Sequence, residues 1–199
     1  MISIRARAAG CVCAAVVMVV SGSLVPSAAG AKKDVPSRDQ WLTDVRVAMK
    51  GSRAYVKERV AKAAEIEAAG GVPQKLAINF DIDNTVIATY YDGGGAIPFM
   101  HRFAKFADEQ GVALMFNTGR ARDMRAATLA ELRNAGYPVT KLCLRRQGEQ
   151  LAKGKQRCRQ RFVDRGFTII ANIGNRDTDF EGGNYDRAFK LPNYDDELG

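Results

Sequence analysis

The chain has 199 residues, with 30 basic and 22 acidic side chains, one His, four Cys and 46% apolar residues. That length predicts one domain, and ordinary apolar content with moderate charge excludes both disorder and a disulfide-dense miniprotein. A single His excludes chemistry that needs several imidazoles, and no apolar run reaches the ~20 residues of a membrane-spanning helix.

Residues 1–31 read as an export signal. Arg5 and Arg7 make a basic start, Cys11 to Val20 is unbroken apolar sequence, and Ala29-Gly30-Ala31 is a small-residue cleavage site. Cleavage near Ala31 predicts a secreted or periplasmic protein and removes two of the four cysteines. Cys143 and Cys158 remain. In an oxidising compartment they either pair, tying a strand end to the following helix, or stay as two buried thiols.

Residues 32–74 read as a polar leader followed by helices. Trp41, Val45 and Met49 recur at four-residue spacing, as do Val56, Val60 and Ala64, with Gly51-Ser52 between the two sets. Trp41 is expected to anchor these helices on a core formed by residues 75–199. There, short apolar runs at Leu76–Phe80, Val112–Phe116, Val139–Leu144, Phe167–Ile173 and Ala188–Leu191 alternate with helical stretches at Pro98–Gln110, Ala121–Ala135 and Lys155–Arg165. This alternation predicts a three-layer, doubly wound α/β fold with a parallel sheet. The acidic tail from Asn193 reads as frayed.

Ligands of such sheets bind beyond the carboxyl ends of the strands. Asp81-Ile82-Asp83-Asn84-Thr85 follows the first strand, Asn117-Thr118-Gly119-Arg120 the second, and Gly174-Asn175-Arg176-Asp177-Thr178-Asp179 the fourth. Lys155 is expected at the start of the helix before that fourth strand. Oxygen-only ligands favour a hard cation, Mg²⁺ first. Carboxylates beside Mg²⁺, a hydroxyl and an ammonium suit attack on a phosphoryl group.

FDIDNT resembles motif I (D-x-D-x-T) of the haloacid dehalogenase-like (HAD) phosphatases, and FNTGR resembles their motif II. The segment KQRCRQRFVDRGFTIIANIGNRDTDFEGG with the later KLPN resembles the subclass IIIB acid phosphatases, which include plant vegetative storage proteins and bacterial secreted enzymes. The resemblance spans roughly Trp41 to Asn193. It implies a HAD-like, Rossmann-like core and a Mg²⁺-dependent phosphomonoesterase. Asp81 would be the nucleophile, Asp83 the general acid/base and a metal ligand, and Thr118 a phosphate-binding hydroxyl with Gly119 and Arg120 beside it. The motif III lysine falls on Lys153 or Lys155, and counting back from Gly166 through Arg159 selects Lys155. Asn175 and Asp179 would complete the metal set.

One departure stands out. Where relatives carry Gly-Asp, this chain has Gly174-Asn175, so one metal ligand loses its charge; Asp177 or Asp179 could restore it. The alternative is therefore a non-catalytic storage or phosphoester-binding protein. The stretches from Thr85 to Thr118 and from Thr118 to Lys155 are too short for a large cap, so Tyr90, Tyr91 and Gly93-Gly94-Gly95 form at most a flexible flap. An open site suits large or varied phosphoesters better than one small, enclosed substrate; the expected partner is a small-molecule or exposed phosphomonoester, and a homodimer could supply a lid. The basic run around Lys155 to Arg165 lacks interleaved aromatics other than Phe162. It reads as solvated helix surface, with no specific nucleic acid and no membrane span as partner.

Overall fold

The computed structural model describes residues 35–198; the expected export signal lies outside them. Two helices come first, α1 (Arg38–Ala48) and α2 (Ser52–Ala68). The core then alternates β1 (Lys75–Phe80), α3 (Thr89–Asp92), α4 (Pro98–Glu109), β2 (Ala113–Ala121) and α5 (Arg125–Asn134). It continues with β3 (Lys141–Arg145), α6 (Leu151–Val163), β4 (Phe167–Gly174) and β5 (Arg187–Lys190). The five strands form one parallel sheet in the order β3-β2-β1-β4-β5. β1 is central because its residues after Lys75 are apolar or neutral and buried on both faces.

Strand alternation divides the core. Ile78, Phe80, Leu114, Phe116 and Leu144 point to one face, where α1, α2, α4 and α5 pack with Trp41, Phe103 and Leu132. Ala77, Met115 and Cys143 point to the other, against Cys158 and Phe162 of α6. Two places further along β1 from Ala77 and Asn79, Asp81 falls on the α6 side by the same two-residue period.

Two irregularities interrupt the strand ladders. Pairing of β2 with β3 shifts between Thr118 and Ala121, which leaves Gly119 and Arg120 as a bulge at the strand's carboxyl end. A Cβ on Gly119 would meet Leu151 Cδ1 at 2.6 Å, so a side chain there would have to push the end of Leu151 aside. Pairing of β1 with β4 shifts between Ala77 and Ile78, and the displaced Ile170 carbonyl accepts a hydrogen bond from the Tyr55 hydroxyl at 2.9 Å.

Several expectations are corrected. β2 runs on to Ala121, so Thr118 lies within the strand and not after it. α6 begins at Leu151, which puts Lys155 in its second turn. The tail is packed: Leu198 is buried, its carbonyl accepts from Asn84 Nδ2 at 2.6 Å, and the Tyr194 hydroxyl donates to Asp44 at 2.7 Å. The supposed flap is a helical turn fastened to α1, with Tyr91 stacked on Trp41 at 4.8 Å and Asp92 paired with Arg38 at 2.6 Å. Cys143 and Cys158 are disulfide-bonded, joining β3 to α6.

Candidate active site

At the carboxyl ends of β1, β2 and β4 lies a cavity of about 490 Å³ lined by Asp81, Asp83, Gly119, Arg120, Lys155, Asn175 and Asp179. Thr118, the remaining expected residue, is buried one place before Gly119, its hydroxyl accepting from the Arg120 amide at 3.1 Å. β1 aligns Phe80 with Phe116 of β2, so Asp81 stands level with Asn117. The eight residues expected from sequence are thus brought to one edge of the sheet.

Lys155 is the centre of the charge arrangement. Its side chain is 3% exposed, and the ammonium contacts Asp81 Oδ1, Asp179 Oδ1 at 2.7 Å and the Asn117 carbonyl at 2.8 Å. All three of its protons have acceptors. Burial disfavours the ammonium, but Asp81 and Asp179 outweigh it and raise the Lys155 pKa. Burial also pushes Asp81 up, to about 6, against the pull of Lys155 and with a further push from Asp179. The lysine is therefore held charged, and Asp81 sits under tension between a cation and a second carboxylate. Lys153, the other candidate from sequence, is exposed.

Asp83 is held differently. Arg120 donates to it twice, from Nε at 3.0 Å and Nη2 at 2.6 Å, while Thr89 donates to Oδ1 at 2.8 Å. Burial works against ionisation of Asp83, but the hydrogen bonds and charge of Arg120, with the Thr89 bond, hold it below the usual carboxylate range. The third Arg120 nitrogen is taken by Glu131. Arg120 is thus committed to two carboxylates, which sequence alone did not indicate.

The donor set is hard oxygen throughout. Thr85 donates to Asp81 Oδ2 at 3.1 Å and its hydroxyl lies 3.4 Å from Asn175 Oδ1, so these two oxygens face a common neighbour. They fit one side of a small divalent cation's shell. The Asp83 carboxylate is engaged by Arg120, and Asp179 is engaged by Lys155 and by the Arg176 amide at 3.0 Å. Among the described residues, no group of three or more His, Cys, Asp or Glu side chains could hold a metal ion. Asp177 does not restore the charge missing at Asn175: it pairs with Lys190 and is 85% exposed.

Residues not singled out from sequence build the support. Arg159 is fully buried and donates to the main-chain carbonyls of Asp179 (2.6 Å), Gly183 (2.9 Å) and Glu181. It belongs to the run read as solvated helix surface, and that reading fails for Lys155 and Arg159. Their spacing of four puts both on the buried face of α6. Asn172 donates to the Asp179 carbonyl at 2.8 Å and accepts from Asn79 at 2.6 Å, while Asn117 donates to the Lys155 carbonyl at 2.9 Å. Gly174 leaves room for the Asp179 carboxylate, with which any Cβ would collide.

Residues 93–197 match the model of the HAD superfamily, subfamily IIIB (acid phosphatase). The chain belongs to that subfamily. Asp81 and Asp83 precede the matched span, while Thr118, Lys155, Asn175 and Asp179 lie within it. The IIIB chain is 33% identical over 90 residues to the stem 28 kDa glycoprotein of Glycine max, covering 42% of this chain and 35% of that protein. It is 35% identical over 88 residues to acid phosphatase 1 of Solanum lycopersicum, covering 42% and 34%. It thus spans about a third of the length of the curated relatives it matches. The class C acid phosphatase from Bacillus anthracis has the same fold, with a TM-score of 0.50, 19% identity and coverage of 78% of this chain and 84% of that one.

Proposed function

We propose that this IIIB protein is an exported, Mg²⁺-dependent phosphomonoesterase that works through an aspartyl-phosphate on Asp81. The observation that carries the reading is the buried contact of Asp81 with Lys155 and Thr85 at the floor of the cavity. In the first step an Asp81 oxygen bonds to phosphorus, the ester P–O bond breaks, and the departing oxygen takes the proton of Asp83, which the pull of Arg120 leaves protonated only at acid pH. Water then gives its proton to Asp83 and attacks phosphorus, which releases orthophosphate and restores Asp81.

Lys155 lies against Asp81 and so stands beside the transferring group, where its charge offsets that of the phosphoryl oxygens. Gly119, half-buried at the β2 bulge, and the Thr118 hydroxyl behind it are the polar groups that hold the remaining oxygens. Arg120 acts by positioning Asp83 more than by meeting substrate. Asp81 Oδ2 and Asn175 Oδ1 would hold the metal, with Asp83 contributing its main-chain carbonyl as the family resemblance implies. Bound there, Mg²⁺ supplies positive charge that keeps Asp81 ionised and further neutralises the phosphoryl oxygens. Export accords with the Cys143–Cys158 bond, because disulfides persist in oxidising compartments.

The test is hydrolysis of an aryl phosphate by the oxidised protein with and without Mg²⁺, beside Asp81→Asn. The variant is expected to lose activity by a factor on the order of 10³ or more. Equal residual rates in both proteins would remove the enzyme reading and leave a storage or phosphoester-binding role.

A further inference from the structure

A second concavity, of about 730 Å³, shares no lining residue with the catalytic one. The turn before and the start of α5 contribute Arg122 and Arg125, and β3 and its exit contribute Lys141 and Arg146. α6 and the turn after it contribute Arg157, Arg161 and Arg165. The lining contains no carboxylate. We propose that this cleft is a binding site for a compact, multiply phosphorylated small molecule.

Two of these cations have a structural occupation. β3 is an edge strand, and Arg125 caps its Leu142 carbonyl at 2.8 Å while Arg157 caps Leu144 at 3.0 Å. Arg157 is further tied to Glu149 at 2.7 Å. Charged groups of this kind protect a sheet edge from pairing with another chain. Edge protection does not account for Arg122, Lys141, Arg146, Arg161 and Arg165, which have no ion-pair partner among the described residues. Arg161 is instead crowded by other cations, Arg165 first and then Arg157, Arg122 and Arg146, which lower its pKa. Three separate elements thus hold like charges around one hollow, an arrangement that a bound anion would complete and that water and salt otherwise screen.

The shape and lining select the anion. The volume lies within the range of small-molecule pockets, about 300–1,000 Å³. Six of the seven cations are arginines, whose planar forks take phosphate oxygens in pairs. The aromatic in the lining is Phe162, which is buried and offers no face for a base, so the cleft lacks the stacking platform of single-stranded nucleic-acid sites. Several phosphates on a small frame satisfy the separated cations together, whereas one orthophosphate reaches only a few of them. This site does not depend on the catalysis proposed above.

Binding of myo-inositol hexakisphosphate is measured by calorimetry at about 0.15 M salt, in the Asp81→Asn background so that the probe is not consumed. One equivalent should bind, with orthophosphate far weaker. Arg161→Ala/Arg165→Ala, and independently Arg122→Ala on the opposite wall, should each weaken binding by on the order of tenfold. With Asp81 intact, the same arginine variants should hydrolyse an aryl phosphate within about twofold of the parent. Unchanged affinity in both arginine variants would place the probe in the catalytic cavity and overturn the proposal. Tighter binding of a single-stranded deoxyoligonucleotide dodecamer than of the hexakisphosphate would overturn it equally.

Discussion

Neighbouring residues line the two cavities, Arg145 one and Arg146 the other, yet the cavities handle charge in opposite ways. In the catalytic cavity Lys155 is shared by Asp81 and Asp179, and Arg120 by Asp83 and Glu131. In the cleft, seven cations share one hollow with no carboxylate in its lining. Buried charge cannot wait for a partner, because an unpaired ion out of water costs several kcal/mol. Charge at the rim of an open cleft can wait, because water and salt screen it. Pairing therefore marks groups that must be in place before the ligand arrives, and the absence of pairing marks groups that the ligand itself completes.

The largest expected effect breaks the paired side. Lys155→Met leaves Asp81 and Asp179 buried without their cation and should lower stability by about 3–5 kcal/mol in urea denaturation. An unchanged midpoint would show that the lysine is not what holds these carboxylates. Next comes the bond that serves both regions. Reduction of Cys143–Cys158, with a sequence separation of 15, should lower stability by roughly 3 kcal/mol. Because α6 carries Lys155 on one face and Arg161 on another, both hexakisphosphate affinity and phosphatase rate should fall together on reduction.

A smaller effect concerns Glu149, which accepts from the Arg146 amide at 2.9 Å and pairs with Arg157. The hydrogen bond from Arg157 is the main cause that holds its pKa down at about 2. A depressed carboxylate contributes stability that is complete above its unfolded pKa and fades as pH falls from about 5 towards 2. Glu149→Gln should flatten that acid limb in melts recorded across this window, while leaving stability below pH 2 unaltered. The smallest effect sharpens the unpaired side. Arg161→Gln removes like-charge repulsion with Arg157 and Arg165 at four-residue spacing, so stability should hold or rise by about 0.2–0.5 kcal/mol. A loss of more than 1 kcal/mol would mean that Arg161 has a structural partner after all.

Most of the sheet was legible because short apolar runs between helical stretches leave few topologies for a parallel sheet. Most of the candidate site was legible because its residues stand soon after those runs, whereas Lys155, inside α6, was picked out through the family resemblance. What stayed hidden depends on reach. Nothing in the spacing of Asp83, Arg120 and Glu131 shows that the Arg120 guanidinium joins the other two, since α5 has to fold back beside the β2 bulge. Arg159 and Arg161 belong to one basic run, yet one is fully buried beneath the Asp179 loop and the other faces the cleft. Net charge cannot separate them; position around the helix does. The tail misled because its acidity suggested solvent, whereas Leu198 and Tyr194 hold it against the domain.

The fastening of α3 has a practical corollary. Tyr91 donates to the Pro36 carbonyl at 2.6 Å, and the next residues, Ser37 and Arg38, open α1. Tyr90 and Thr89, on the same turn, line the catalytic cavity. The rim of the pocket is therefore stitched to the first described residues of the chain. An affinity tag, a fusion joint or a protease nick at Pro36 would act as an alteration of the catalytic entrance, so recombinant versions should keep Val35 onward in native sequence and carry their handles elsewhere.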